Sequence, residues 1–65
     1  MKIKYQGNET ETDSTTVAAF LEDNGITANE AVIELDGEIV VANAAGKTSL
    51  HKNAELNIFR IVAGG

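Results

Sequence analysis

The chain has 65 residues and no cysteine, and its five basic and ten acidic residues give a formal net charge of -5. This length predicts one domain, residues 1–65, with a single small core and no deep cleft. The absence of cysteine excludes a disulfide framework, a thiolate nucleophile and a soft-metal site. The acidic balance argues against nucleic-acid binding and favours a protein partner with a basic surface.

The sequence contains no apolar leader and no run of membrane-spanning length, so we expect a cytoplasmic protein that is monomeric when free and does not enter a membrane. It also lacks a phosphate-binding loop, an acid–base pair and a metal cluster. We therefore expect no catalytic residue, no bound cofactor and no metal. The single histidine, His51, lies in a polar segment without a second ligand and is interpreted as an ordinary surface residue.

The first predicted element is a β-hairpin. Apolar and basic residues alternate from Met1 to Tyr5, which predicts a strand with one apolar face. Gly7-Asn8 is a two-residue turn signal. The polar run from Glu9 to Asp13 is then the returning strand, an edge strand protected by its charges.

A helix is predicted to follow the hairpin. Residues 13–16 are capping residues, with Thr15 or a neighbour (Ser14 or Thr16) as the N-cap, and the next apolar positions are spaced i, i+3 and i+4. The helix should end at Asn24-Gly25, because glycine readily adopts the left-handed conformation that follows a helix. The helix residues Val17, Phe20 and Leu21 are expected to pack on the sheet residues Ile3, Ile33, Leu35, Leu56 and Ile58.

A second hairpin is predicted from Ala31 to Val41, with its turn at Asp36-Gly37. Residues 42–53 are interpreted as a mixed loop with a short helical turn around Thr48–Leu50. The last strand is predicted to span Glu55 to Val62. The order is therefore ββαββ, a loop and β. It indicates an α+β fold in which a mixed sheet of about five strands carries one main helix on one face.

Alternate residues of the last strand face opposite sides of the sheet. If Leu56 and Ile58 face the helix, Phe59 and Ile61 lie on the open face. An exposed aromatic residue beside an exposed aliphatic one is a candidate docking patch for a partner. The alternative interpretation is a lone surface phenylalanine without a function.

The sequence ends in Ala63-Gly64-Gly65, directly after this strand. Because two glycines have nothing to pack, residues 63–65 are predicted to form a flexible tether that adds nothing to the fold and enters a channel too narrow for a Cβ atom. The carboxylate of Gly65 is the candidate reactive group. Adenylation would give it AMP as a leaving group, after which a sulfur nucleophile could attack the carbonyl carbon.

Element order, length and ending together resemble the β-grasp (ubiquitin-like) fold and, more narrowly, the ThiS sulfur carriers of the ThiS/MoaD family. Val41 departs from the proline that is common in the family, and residues 53–55 depart from its Gly-Asp turn. The resemblance rests on Met1–Ile3 with the first hairpin, on Thr16–Leu21, on Asp36–Val40 and, most specifically, on Phe59–Gly65.

The resemblance implies a sulfur carrier and not an enzyme, with Gly65 adenylated and converted to a thiocarboxylate for thiamine thiazole synthesis. The implied partners are a ThiF-type adenylating enzyme that uses ATP and magnesium, a sulfur source linked to a cysteine desulfurase, and a ThiG-type thiazole synthase. Two alternatives stay open. One is the small subunit of molybdopterin synthase, and the other is a ubiquitin-like modifier joined through Gly65 to a lysine of a target protein.

Overall fold

The computed structural model describes residues 1–61, in which five strands form one mixed sheet of order β2-β1-β5-β3-β4. β5 is the central strand and runs parallel to β1 and antiparallel to β3. The predicted α+β fold class is confirmed. The elements are β1 (Lys2–Tyr5), β2 (Asn8–Glu11), α1 (Val17–Asp23), a 3-10 helix (Ala28–Glu30), β3 (Ala31–Leu35), β4 (Glu38–Val40), a second 3-10 helix (Ala42–Lys47) and β5 (Glu55–Arg60).

Both hairpins are closed by two-residue turns whose central residues have positive φ, as type I′ turns require. The second turn lies at Asp36-Gly37, as predicted, with φ of 51° and 86°. The first lies at Gln6-Gly7, with φ of 53° and 82°, because Tyr5 pairs with Asn8. The prediction of a turn at Gly7-Asn8 is therefore wrong by one residue, and β2 begins at Asn8 instead of Glu9.

The predicted ends of α1 are confirmed. Thr16 is the N-cap, and its Oγ1 accepts a hydrogen bond from the Ala19 N–H at 3.1 Å. Asn24 is the C-cap, and Gly25 follows it with a φ of 67°. These two ends fix the register of the helix, which points its apolar stripe at the sheet.

The core lies between α1 and one face of the sheet. The Phe20 ring packs edge-on against the Tyr5 ring, with centroids 4.9 Å apart. All the residues predicted to form this contact are buried: Val17, Phe20 and Leu21 on the helix, and Ile3, Ile33, Leu35, Leu56 and Ile58 on the sheet.

The segment between β4 and β5 differs from its prediction. Its 3-10 helix covers Ala42–Lys47, whereas Thr48–Leu50, where the sequence predicts a helical turn, runs alongside the start of α1. The Val17 N–H donates to the Thr48 carbonyl at 2.9 Å, and the Leu50 N–H donates to the Thr15 carbonyl at 2.9 Å. These main-chain bonds to a distant part of the chain hold the segment extended, which a local helical pattern cannot predict.

β5 ends at Arg60, before the predicted end at Val62. The next residue, Ile61, still donates its N–H to the Glu30 carbonyl at 3.1 Å, but it is no longer part of the strand. Val62 lies outside the described residues. The part of β5 that pairs with β3 therefore reaches to within five residues of the last glycine.

Phe20→Ala is expected to lower the free energy of unfolding by about 3–5 kcal/mol, because it removes a fully buried ring and leaves a cavity. The Phe20 side chain is 2% exposed and contacts Tyr5. Thermal unfolding followed by circular dichroism measures the effect. Glu22→Ala, on the exposed side of α1, is the control and should melt near the wild-type temperature. An unchanged midpoint for Phe20→Ala would contradict the register of the helix.

Candidate functional site

β5 presents two different faces. Leu56 and Ile58 are 0% and 5% exposed against the helix, whereas Phe59 is 55% and Ile61 is 62% exposed on the opposite side. The predicted alternation is therefore confirmed. Phe59 and Ile61 lie on the open face of the sheet, at the end of β5 that leads to the C-terminal residues.

These two residues belong to a larger apolar patch. Val32 of β3 pairs with Phe59, and the β3–β4 register, continued by one position beyond its last pair of Ile33 with Val40, places Val41 beside Val32 on its other side. Ile39 lies on the same face of β4, and Ile39 and Val41 are 63% and 62% exposed. We call Val32, Ile39, Val41, Phe59 and Ile61 the apolar patch.

Three patch residues are not predicted by the sequence: Val32 on β3, Ile39 on β4 and Val41 directly after β4. The signal was present, because a turn at Asp36-Gly37 pairs residue 41 with residue 32, and both are valines. Prediction of the whole patch requires the order of the strands in the sheet as well as the turn, since only the β3–β5 pairing brings Val32 next to Phe59. The order of the strands is a property of the whole fold and not of the hairpin.

The other half of the open face is charged. Lys2 and Lys4 of β1 alternate with the core-facing residues of that strand and pair with Glu11 and Glu9 of β2. The Lys2 Nζ lies 3.2 Å from a Glu9 carboxylate oxygen, and the N-terminal amine lies 3.3 Å from a Glu11 oxygen. Exposed pairs of this kind add little stability. Their main consequence is that the apolar patch is confined to β3, β4 and β5.

A second cluster lies at the other end of β5. His51 Nε2 is 2.6 Å from Asp36 Oδ2, and His51 Nδ1 is 2.9 Å from the Lys52 carbonyl oxygen. The other oxygen of Asp36 accepts the Glu55 N–H at 2.9 Å. That main-chain bond, and next the bond to His51, lowers the pKa of Asp36. The bond to Asp36, and next the Lys52 carbonyl, raises the pKa of His51.

His51 is exposed, as predicted, but no local pattern predicts its contact with Asp36, since 15 residues separate the two. Within residues 1–61, no group of three or more His, Cys, Asp or Glu side chains is placed to hold a metal ion. No helix of the same stretch is long and apolar enough to cross a membrane. The predicted reactive carboxylate of Gly65 and the tether Ala63-Gly64-Gly65 lie outside the described residues.

Comparisons with known proteins identify the family and the fold of this chain. A model described as the ThiS family matches residues 3–65. The chain belongs to the ThiS family. None of the curated proteins matches the chain significantly.

Two solved structures resemble this ThiS-family chain. The crystal structure of the thiamine biosynthesis protein ThiS from Geobacter metallireducens has a TM-score of 0.84 and 20% identity, and the match covers 100% of both chains. The NMR solution structure of a thiamine biosynthesis protein from Geobacter metallireducens has a TM-score of 0.77 and 22% identity, and it covers 100% of this chain and 87% of that one. Both confirm the β-grasp fold.

Membership of the ThiS family fits a small sulfur carrier of thiamine biosynthesis and not an enzyme. The match extends through Gly64 and Gly65, the residues on which the sequence analysis places the chemistry. The adenylation, the thiocarboxylate, the individual partners and the docking role of Phe59 and Ile61 stay predictions.

The contact between His51 and Asp36 predicts a pH window for its contribution to stability. The pKa of His51 is raised, so its contribution is complete below the unfolded value near 6.5 and is lost as the pH rises through the folded-state pKa. The pKa of Asp36 is lowered, so its contribution is present above the unfolded value near 3.8 and is lost as the pH falls through the folded-state pKa. The contact therefore stabilises most between these two values.

The measurement is the thermal midpoint of the wild type and of His51→Gln at about pH 5.5 and about pH 8.5. The difference between the two proteins should be larger at the lower pH, and it should be small because both side chains are exposed. A proton NMR titration should place the His51 pKa above its ordinary value. A ring that titrates at or below that value would contradict the contact.

Proposed function

We propose that this ThiS-family chain carries sulfur as a thiocarboxylate on Gly65 and donates it for thiazole synthesis in thiamine biosynthesis. The observation that carries the proposal is the match of the family model through residue 65. The chain needs no catalytic group for this function. ATP, magnesium and the residues that position them belong to a ThiF-type adenylating enzyme.

The proposed chemistry has two steps. A carboxylate oxygen of Gly65 attacks the α-phosphorus of ATP, and pyrophosphate leaves. A sulfur nucleophile then attacks the carbonyl carbon and AMP leaves, so that a C–S bond replaces the C–O bond to AMP. If the nucleophile is a persulfide of the sulfur source, a thiol must next reduce the resulting acyl disulfide to release the thiocarboxylate. A ThiG-type thiazole synthase is the proposed acceptor.

The apolar patch supports a docking role for Phe59 and Ile61. An exposed apolar surface formed by three adjacent strands is larger than a single surface phenylalanine, and such surfaces mark sites of protein contact. Ile61 is four residues from Gly65, so the Gly65 Cα lies within about 14 Å of the Ile61 Cα. A partner surface that covers the patch would thus bring its channel close to the reactive end.

Changes at the C-terminus test the chemistry. Deletion of Gly65, Gly64→Val, or one residue appended after Gly65 should each abolish or strongly reduce ATP–pyrophosphate exchange by the adenylating enzyme. Deletion withdraws and extension advances the carboxylate by about 3.5 Å, and a Cβ at Gly64 adds bulk in a narrow channel. The thermal midpoint should stay close to wild type, because these residues are not expected to pack on the core. Normal exchange by the deleted or extended protein would contradict the carrier function.

Intact-mass measurement distinguishes the proposed function from its alternatives. After incubation with ATP, an adenylating enzyme and a sulfur source, replacement of oxygen by sulfur adds about 16 Da to the chain. A ubiquitin-like modifier would instead appear as a larger conjugate with a target protein. Transfer of the sulfur to a molybdopterin precursor, and not to thiazole, would indicate the remaining alternative.

Phe59→Ala tests the docking role. It should weaken binding to the adenylating enzyme by about 1–3 kcal/mol, because a large aromatic residue at the centre of an interface contributes most to its energy. Stability should change little, since the side chain is 55% exposed. Calorimetric titration measures the affinity, and Glu22→Ala on the opposite face is the control. Strong destabilisation with unchanged affinity would place Phe59 in the core and refute the assignment.

A further inference from the structure

The side chain of Gln6 is hydrogen-bonded to the main chain of β5. Its Nε2 donates to the Ile58 carbonyl at 2.7 Å, and its Oε1 accepts the Ile58 N–H at 3.1 Å. One side chain therefore satisfies both peptide groups of a residue 52 positions away. A carboxamide is suited to this contact because, like a peptide, it carries both a donor and an acceptor.

These two bonds continue the ladder between β1 and β5 beyond the end of β1. The Lys4 N–H donates to the Ala54 carbonyl at 2.8 Å, and the Gln6 N–H donates to the Leu56 carbonyl at 3.0 Å. The next residue of β5 whose main chain faces this side is Ile58. The main chain of β1 has already turned away at Gln6, so the Gln6 carboxamide takes the place of the missing strand residue.

The turn by itself does not favour glutamine at this position. Gln6 has a φ of 53° at the first central position of a type I′ turn, where Asn, Asp and Gly are preferred. The corresponding residue of the second hairpin is Asp36, with a φ of 51°. Asparagine would suit the turn better but is one methylene shorter and would not reach Ile58. The contact with β5 therefore accounts for a glutamine that the turn does not explain.

We propose that Gln6 is a positioning residue that sets the direction in which β5 delivers the C-terminal residues to the adenylating enzyme. At Ile58 the strand is held on both sides, by β3 and by Gln6. Beyond Ile58, as far as the described residues 59–61 reach, only β3 lies beside it, through the pairing of Arg60 with Ala31 and the bond from Ile61 to Glu30. Among the described residues, the Gln6 side chain thus makes the last hydrogen bonds to β5 on the side that faces β1.

The inference rests on the proposed function, in which the placement of the Gly65 carboxylate against ATP decides the rate. A small displacement of a reacting group lowers a rate strongly, since catalysis depends on orientation. Ile58 is seven residues from Gly65. A change of strand direction at Ile58 therefore displaces Phe59 and Ile61, and with them the point from which the C-terminal residues leave the folded body, whereas the core on the helix side is left in place.

Gln6→Asn separates the role of the turn from the role of the contact. The thermal midpoint should fall only modestly, because the preference of asparagine for the type I′ turn offsets part of the cost of the two lost hydrogen bonds. Protection of the Ile58 amide against hydrogen exchange should fall about fivefold or more, because its acceptor is lost. In ATP–pyrophosphate exchange, kcat/KM for the carrier should fall about tenfold while the KM for ATP is unchanged.

Two further variants serve as comparisons. Gln6→Glu keeps the side-chain length and the acceptor for the Ile58 N–H, but it places an unprotonated oxygen beside the Ile58 carbonyl and should also lower kcat/KM. Asn24→Ala removes a side-chain amide whose Nδ2 donates to the Phe20 carbonyl at 2.8 Å within the end of α1. It should lower stability but leave kcat/KM at the wild-type value.

The outcomes are distinct. Faster exchange at Ile58 in Gln6→Asn and a lower kcat/KM in both Gln6 variants, with Asn24→Ala active, would support the positioning role. Wild-type kcat/KM in Gln6→Asn, or an unchanged exchange rate at Ile58, would overturn it. If the wild type itself does not promote pyrophosphate exchange, the proposed function fails and the positioning role fails with it, and that result is recognisable because it does not depend on Gln6.

Discussion

The central position of β5 is the constraint on which the rest of the structure depends. β5 is formed by the last described residues, yet it lies between β1 and β3, so the sheet is complete only when these residues are in place. Its pairing joins residues as far apart as Lys4 and Glu55, and the entropy of closing such long loops must be offset by burial. Leu56 and Ile58 provide that burial at the centre of the core. The two hairpins and α1 are local structures, and β5 joins them.

The alternation along β5 separates folding from recognition. The even-numbered residues Leu56 and Ile58 are buried, whereas the odd-numbered residues Phe59 and Ile61 are exposed. Substitution of an exposed residue can therefore change a partner contact without opening the core. An exposed apolar surface also favours aggregation, and the chain carries features that oppose this. Its net charge is -5, and the β1–β2 half of the same face consists of charged residues.

Local patterns in the sequence predict the parts of the fold that local physics determines. The cap of α1, predicted at Thr15 or a neighbour and found at Thr16, and the turn at Asp36-Gly37 are correct because each depends on a few adjacent residues. The first turn lies at Gln6-Gly7 and was predicted one residue later, because Gly7-Asn8 also matches a turn pair. Only the cross-strand pairing decides between the two positions. The contacts of His51 and Gln6 have no local pattern, since their partners are 15 and 52 residues away. For the candidate site, alternation alone predicts the exposed faces of Phe59 and Ile61, whereas the rest of the patch depends on strand order.

The short distance between the folded body and Gly65 couples docking to delivery. Four residues beyond Ile61 extend at most about 14 Å, so in the proposed mechanism the carboxylate enters a channel only if the body rests against its mouth. Ordering each of those residues costs about 1–2 kcal/mol, and burial of apolar surface at about 25 cal/mol per Å² is the natural contribution to offset it. The apolar patch includes Phe59 of β5, the strand that leads to this end. A carrier of this kind needs no catalytic group, but it needs a strand that bears part of its docking face and is held on both sides just before that face, and β5 is held in this way as far as Ile58.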